Sequence, residues 1–531
     1  MAELDSAQLI RDAGTVLQVG FPGSTAPEWV LRALSAGELG GVALFTRNLV
    51  SPEQITALCA ELRAANPEVL IAIDEEGGDV TRIEAVEGSS YPGNLALGKA
   101  DDVALTEAVG RSIGHDLASL GINLDYGPCV DVNANPDNPV IGTRSFGSES
   151  ELVARHSAAY VRGLQSQGVV GCAKHFPGHG DTAGDSHLGL PLVEYDEAAE
   201  LLHLAPFRSA IEAGVKAIMT AHILFPRHDA DVPATMSREI LTGLLRERLG
   251  FQGLIVTDGI DMGAISGRYG VAEGTVRAIA AGCDAICWGG SYADEENYLY
   301  LRNAIVWAVR EGRLSPERLS EAAERCRVTA RWSARTLRAA GRTPVDRSVG
   351  LTAARRALTV RGEVKPLGAA PHVVQFSPIV SFAVAAGTPW GIAEPLAELL
   401  PGTTSATIAA PTTHVETVGL MTSLVVDQDA LVDVEPELAA AADRPLVLAV
   451  RDLHRNQWMQ RAVDAVRAQR PDAVVVEFGL PYGDEADLST YGGSRVSGVA
   501  AAEYLAGVAG AGTDSNVSAE SNESTDSKEA H

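Results

Sequence analysis

The sequence predicts an α/β protein with an N-terminal (β/α)8 TIM-type barrel over 1–345, a smaller C-terminal α/β sandwich domain over 346–511, and a disordered acidic tail over 512–531. Three observations carry this prediction. Short β-branched apolar runs alternate with longer amphipathic stretches, which implies parallel strands joined by crossover helices. The alternation repeats eight times before residue 345, the count and length of a closed barrel. Polar, chemically able residues gather at the C-terminal ends of the runs, the face on which a barrel carries its loops.

The strands are expected at 16–21, 41–45, 69–74, 122–132, 169–175, 217–224, 254–258 and 284–288. Helical patterns lie between them at 52–64, 105–120, 152–167, 198–213 and 238–249. An Arg-rich helical segment over 315–340 closes the unit, and Gly341-Arg342-Thr343-Pro344 breaks the chain after it. The alternative is an open doubly wound sheet, but no G-x-G-x-x-G turn follows the first strand. Beyond the break, apolar runs at 373–376, 446–450 and 473–478 surround a helical pattern at 457–469, which reads as a mostly parallel layered sheet. Arg451, Asp452, His454 and Arg455 follow one of these runs; a solvated loop is the simpler reading and a binding site the other. The last 20 residues are Ser-, Glu-, Asp- and Asn-rich and lack the apolar content to fold.

A chain of 531 residues exceeds what one core accommodates, roughly 250–300 residues, and so calls for more than one domain. The net charge of −27 argues against nucleic acid or an anionic membrane as partner. No basic stretch leads into an apolar core at the N-terminus and no apolar run is long enough to span a bilayer, so a soluble cytoplasmic protein is expected. The six cysteines form no C-x-x-C pair and most sit in apolar runs, as buried reduced thiols do.

The densest chemistry runs from Lys174 to His187, a Gly/Pro-containing loop after the fifth strand. It holds one lysine, three histidines and two aspartates in 14 positions. Three readings compete. His175, His179, Asp181 and His187 are possible metal ligands, although Lys174 would stand beside the cation. Lys174 at a strand end could form a Schiff base. In sugar chemistry, Asp185 and His187 form an acid/base dyad while Lys174 and His175 bind hydroxyls. The spacing of two lets a tight turn set the carboxylate on one imidazole nitrogen, leaving the other free to move a proton.

Asp258 ends a buried strand, where a carboxylate can attack an anomeric carbon. Asp261 competes with it but lies past the strand. Asp74 in Asp74-Glu75-Glu76-Gly77-Gly78, Arg82 after it, and Arg144 in the string from Asn138 to Gly147 are candidate hydroxyl-binding groups.

Together, K-H-F-P-G-H-G-D-T followed by D-S-H, the D-x-E-G-G turn, N-P-V-I-G-x-R-S-F-G, M-T-A-H and P-A-T-x-S resemble the β-N-acetylglucosaminidases of glycoside hydrolase family 3, over about residues 10–340. The second domain is similar to the C-terminal sandwich of two-domain members. The resemblance implies a retaining, exo-acting enzyme that removes terminal non-reducing N-acetylglucosamine from muropeptides or other peptidoglycan-derived fragments. It implies Asp258 as nucleophile, His187 paired with Asp185 as acid/base, and Asp74, Arg82, Arg144, Lys174 and His175 as the substrate-binding set. It implies no metal or other cofactor. Related alternatives are a broad-specificity β-glucosidase and a phosphorylase with inorganic phosphate as acceptor, since a histidine that has given up its proton does not repel an anion. More distant ones are a metal-dependent barrel hydrolase and a non-catalytic sugar-binding descendant. A pocket basic against an acidic surface would suit an anionic aglycone. Two positions depart from the family pattern: Asp79 stands where arginine is usual, and Gly259 where a second aspartate is usual. Both bear on the aglycone side.

Overall fold

The computed structural model describes residues 6–184, 186, 189–289, 294–340, 345–381, 383–385, 387–418 and 421–508. Asp185, His187 and the expected tail lie outside the described residues.

Eight short strands form the first sheet: β1 (Leu17–Val19), β2 (Gly41–Ala43), β3 (Leu70–Ile73), β4 (Leu124–Asp125), β5 (Val170–Phe176), β6 (Ala217–Thr220), β7 (Leu254–Val256) and β8 (Ile286–Trp288). Their order is β7-β6-β5-β4-β3-β2-β1-β8, and every pairing is parallel. A parallel bridge between Val256 and Ala285 links the two ends of the sheet into a ring. Alternate side chains point to opposite faces of a strand. Leu70 and Ala72 of β3, Val170 and Cys172 of β5, and Leu254 and Val256 of β7 therefore fill the inside of the barrel. Ile71, Ile73, Ala173, Ile218, Ile255 and Ile286 point outward into the core beneath the helices.

The surrounding helices start where side chains cap them. Ser51 accepts from the Gln54 amide ahead of Pro52–Ala65, Asp102 from Leu105 ahead of Val103–Leu120, and Asp196 from Ala199 ahead of Glu197–Glu212. Such caps satisfy amides that have no partner inside the helix. The closing helix, Pro316–Ala340, seals the end of the barrel where the strands begin: Cys326 and Ala330 pack against the interior cluster. Arg318 and Arg325 reach the wholly buried Asp284, as does Arg246.

One expected strand is far shorter than its apolar run. Of the run 122–132 only β4 is regular strand. Beyond it the chain stays alongside β5 with a shifted register: the Cys172 amide bonds the Gly127 carbonyl at 2.8 Å, the Lys174 amide the Pro128 carbonyl at 3.2 Å, and the Val130 amide the Lys174 carbonyl at 2.8 Å, with a bridge between Cys129 and Lys174.

The second sheet contains β9 (Thr359–Val360), β10 (His372–Ser377), β11 (Thr404–Ala409), β14 (Leu446–Val450), β15 (Val474–Glu477) and β16 (Leu488–Ser489), in the order β11-β10-β14-β15-β16-β9. All pairings but the last, β16 with β9, are parallel. A separate antiparallel hairpin joins β12 (Thr412–Val418) to β13 (Met421–Val426). Both faces are covered. Val374, Leu446 and Leu448 pack with Trp458, Met459 and Val463 of the helix Gln457–Gln469, while Val373, Val447 and Ala449 pack with Leu396, Ala501 and Leu505 on the other side. Each of the six cysteines is buried as a free thiol. No described helix is long and apolar enough to cross a membrane.

Candidate active site

At the C-terminal ends of the barrel strands lies a cavity of about 310 Å³. Tyr126, Met219 and Cys287 line it from the barrel interior. Asp74, Arg82, Arg144, Lys174, His175 and Asp258, six residues selected from the sequence, all line this one cavity. So does Ser186, the residue between Asp185 and His187.

One wall is a charge network. Lys174, on β5, places Nζ 2.7 Å from Asp74 Oδ1 and 2.7 Å from Glu76 Oε1. Arg144 forks onto Glu76, with Nη2 on Oε1 at 2.7 Å and Nε on Oε2 at 3.0 Å. A guanidinium presents this pair of donors in a plane that matches a carboxylate. The two cations hold Glu76 well below the ordinary carboxylate range despite its burial, and the two carboxylates keep the Lys174 ammonium charged well above its usual range. Its Nζ, held between two carboxylates, suits a charged hydrogen-bond donor better than a Schiff-base amine.

Behind this wall, Asp131 organises the histidines. It accepts the His175 amide, the His179 amide at 2.7 Å, and His175 Nδ1 at 2.7 Å. These donors hold it far below the ordinary range although it is fully buried. His175 Nδ1 is thereby committed, so its Nε2 is the nitrogen left for a ligand. His179 is also fully buried; its Nδ1 meets Thr182 Oγ1 at 2.8 Å and its Nε2 meets Ser186 Oγ at 3.1 Å. Burial lowers its pKa to about 4, so it stays neutral. It ties Ser186 to the barrel. Of the possible metal ligands His175, His179, Asp181 and His187, both nitrogens of His179 are engaged and Asp181 is exposed, while His187 lies outside the described residues. Among the described residues, Cys129, Asp131 and His175 could hold a metal ion by proximity, their donor atoms lying within 4.8 Å of one another. Here these groups hydrogen-bond to one another, with Cys129 Sγ donating to Asp131 at 3.3 Å.

The opposite wall carries Asp258, just past β7. The Gly259 amide donates to its Oδ1 at 2.7 Å. His222, past β6, lies with Nε2 3.0 Å from the Gly259 carbonyl and Nδ1 2.7 Å from Thr235 Oγ1. Asp261 also lines the cavity; burial raises its pKa. Taken together, the cavity is not the basic pocket the sequence suggested. Arg47, Arg82, Arg144 and Lys174 face Asp74, Glu76, Asp258 and Asp261, four cations against four carboxylates among the described lining residues.

Residues 13–328 match the family described as the glycosyl hydrolase family 3 N terminal domain. The chain belongs to glycoside hydrolase family 3. Beta-hexosaminidase A of Pseudoalteromonas piscicida is 37% identical over 328 residues, 57% of this chain and 55% of that protein. The chain thus spans about half the length of that relative. A beta-hexosaminidase of Neisseria meningitidis serogroup B is 40% identical over 259 residues, 47% of this chain and 70% of that protein. The fold is similar, with a TM-score of 0.81 and 32% identity, to a glycoside hydrolase family 3 beta-N-acetylglucosaminidase from Paenibacillus sp. str. FPU-7, covering 94% of this chain and 96% of that one. Both domains of this family 3 chain therefore have a counterpart in one solved relative.

Sequence reasoning gave no role to Glu76, Asp131 and His222, and considered His179 only as a possible metal ligand. Each stands beside a selected residue or at a strand end, and a partner distant in sequence gives it its place. The segment 451–455, read as a solvated loop or a site, is neither. Arg451 is buried and pairs with Asp79 at 3.0 Å, and Arg455 donates to the Asn138 carbonyl at 2.6 Å. It is a contact between the two domains. Asp79, at the position where arginine was expected, thus finds its arginine in the second domain.

Proposed function

We propose that this protein is a retaining exo-β-N-acetylglucosaminidase that acts on terminal non-reducing N-acetylglucosamine. Asp258 is the nucleophile, His187 supported by Asp185 the acid/base, and Asp74, Arg82, Arg144, Lys174 and His175 hold the sugar. The observation that supports this most is the convergence of six sequence-selected groups from β3, β5, β7 and the loops between them on one cavity. The hexosaminidase names of the similar proteins support the amino-sugar class.

In this reading the fixed wall binds and the Asp258 wall reacts. The Asp74 side chain, about a quarter exposed beside Lys174, is free to accept hydroxyl hydrogens of the sugar. Arg82 Nη1 is buried with no partner among the described residues, a donor left for a sugar oxygen. An Asp258 oxygen attacks the anomeric carbon as the bond to the leaving oxygen breaks, and that oxygen takes a proton from His187. Neutral His187 then takes a proton from water, whose oxygen attacks the same carbon and releases Asp258. A barrel filled with side chains beneath the cavity leaves room for a chain end, in keeping with exo action. Muropeptides and related peptidoglycan fragments are the proposed natural substrates.

The test is release of p-nitrophenol from the β-N-acetylglucosaminide and the β-glucoside by wild type, Asp258→Ala and His187→Ala without added metal. Strong preference for the acetamido substrate and loss of orders of magnitude in both variants is expected. A near-normal Asp258→Ala overturns the mechanism, and equal rates on the two glycosides overturn the substrate. Product analysis with inorganic phosphate assigns the acceptor: free sugar means water, and sugar 1-phosphate means phosphate.

A further inference from the structure

The second domain touches the cavity itself. Ala383, between β10 and β11, lines it, and its carbonyl accepts from Arg82 Nη2 at 2.7 Å. The fastening lies nearby. Arg451, at the end of β14, reaches Asp79 on the barrel at 3.0 Å, with only 7% and 4% of the two side chains exposed. The carboxylate is saturated: Oδ2 also accepts from Thr143 Oγ1 at 2.8 Å, and Oδ1 accepts the amide of Gly493, another second-domain residue, at 2.9 Å. Trp390 lies against the Arg451 guanidinium, 5.9 Å from ring centre to Cζ.

Asp79 sits in the middle of a tight turn. The Glu76 amide bonds the Val80 carbonyl at 3.0 Å, and the Arg82 amide returns to Glu75 Oε2 at 2.8 Å. At one end of this turn Glu76 holds Lys174 and Arg144; at the other, Arg82 presents its guanidinium to the cavity. Thr143, which also bonds Asp79, immediately precedes Arg144. Arg82 and Arg144, two of the groups that bind the sugar in the proposed function, are thus close in sequence to Asp79 and to Thr143, which bonds it. Buried charges with several bonds each hold one geometry, because any shift leaves a charge without its partner.

We propose that Arg451 is a positioning residue that fastens the second domain against the substrate cavity through Asp79. The fastening sets where Arg82 and Arg144 stand, so it acts on substrate binding and leaves Asp258, beyond β7, in place.

The inference rests on the proposed function for its kinetic readout, so a second readout is independent of substrate. Wild type, Arg451→Met, Arg451→Lys and Asp79→Asn are compared on p-nitrophenyl β-N-acetylglucosaminide and by amide hydrogen exchange over 76–83 and 140–144. Arg451→Met and Asp79→Asn are expected to raise KM about tenfold with kcat within about threefold of wild type, which is uniform loss of binding. Arg451→Lys, which keeps the charge, should fall between, and exchange in both segments should quicken in the same order. Folded variants with unchanged KM overturn the proposal, as does a fall in kcat at constant KM, the mark of a smaller active fraction. If Arg451→Met does not fold, Arg451→Lys and Asp79→Asn decide by the same criteria. If wild type turns over no such glycoside, the proposed function fails and exchange alone judges: unchanged rates over 76–83 overturn the fastening.

Discussion

The two walls of the cavity are built by different means. On the β3–β5 side, Glu76, Lys174 and Arg144 are 3%, 2% and 7% exposed, and each is fixed by charged partners. On the β7 side, Asp258 is partly exposed and its turn is fixed through backbone: the Gly259 amide on its carboxylate and His222 on the Gly259 carbonyl. The difference teaches a division of labour. A binding wall gains from overdetermined geometry, since misplacing a bound ring costs rate. In the proposed function the nucleophile must stay open to the carbon it attacks, which agrees with a carboxylate held from behind.

The sharpest way to break this comparison is Asp258→Ala. Removal of a nucleophile costs about four orders of magnitude or more in kcat, by analogy with other catalytic groups that act as a unit. The fold should be little affected, because the side chain lies at the cavity rather than in the core. A steady-state assay beside a thermal melt checks both. A large drop in melting temperature would move Asp258 to the structural side of the comparison.

Glu76→Gln should do the reverse. It leaves Lys174 and Arg144 buried with one carboxylate fewer, and breaking a buried ion pair by removing one partner costs about 3–5 kcal/mol. Denaturant unfolding should register that loss, with a raised KM in whatever fraction stays folded. A variant as stable as wild type would show that the network is a binding device only.

His222→Gln should be milder. It loosens the prop under Gly259 without touching the reacting carboxylate, so kcat should fall by roughly tenfold to a hundredfold, the scale of a small misplacement, with stability close to wild type. An unchanged kcat would mean that the His222 contact with the Gly259 carbonyl does not position Asp258.

The same contrast decides what was legible in the sequence. The barrel could be read because β-strand alternation is local: Leu70 and Ala72 point in, and Ile71 and Ile73 point out. Asp258, Lys174 and His175 could be read because they end strands, and a strand end in a barrel is already an address. Glu76 could not be told from Glu75 or Asp74 in the same string, because its place is set by Arg144, 68 positions away. The fastening of the domains was further out of reach: Gly493 and Asp79 meet across 414 positions, and nothing local marks Arg451 as anything but a polar residue after a strand. The run 122–132 misled for the opposite reason, since continuous apolar character hid the break in register near Pro128 that leaves only β4 as regular strand. Local rules locate the reacting wall; the binding wall is assembled from distant partners, and only the fold brings them together.

The effect that needs the finest measurement is a pH dependence at His179. Burial lowers its pKa to about 4, from an ordinary value of 6.5. Below pH 6.5 the unfolded chain takes up a proton at this residue and the folded chain does not. The unfolded state then binds more protons, so stability falls as pH falls from about 6.5 to about 4. The full difference is about 3 kcal/mol at ~1.4 kcal/mol per pKa unit. Glu75 and Glu477, both raised to about 7 by burial, act with the opposite sign over the upper part of that range, because the folded state holds their protons more tightly. The unfolding free energy of wild type alone would therefore mix the two effects. The comparison with His179→Gln separates them: glutamine can still bond Thr182 or Ser186 but carries no titratable ring. The advantage of wild type over the variant should shrink steadily as pH is lowered from 6.5 to 4. A constant gap across that range would mean that His179 is not held neutral, and that the tie to Ser186 is a charged contact rather than the neutral hydrogen bond the geometry gives.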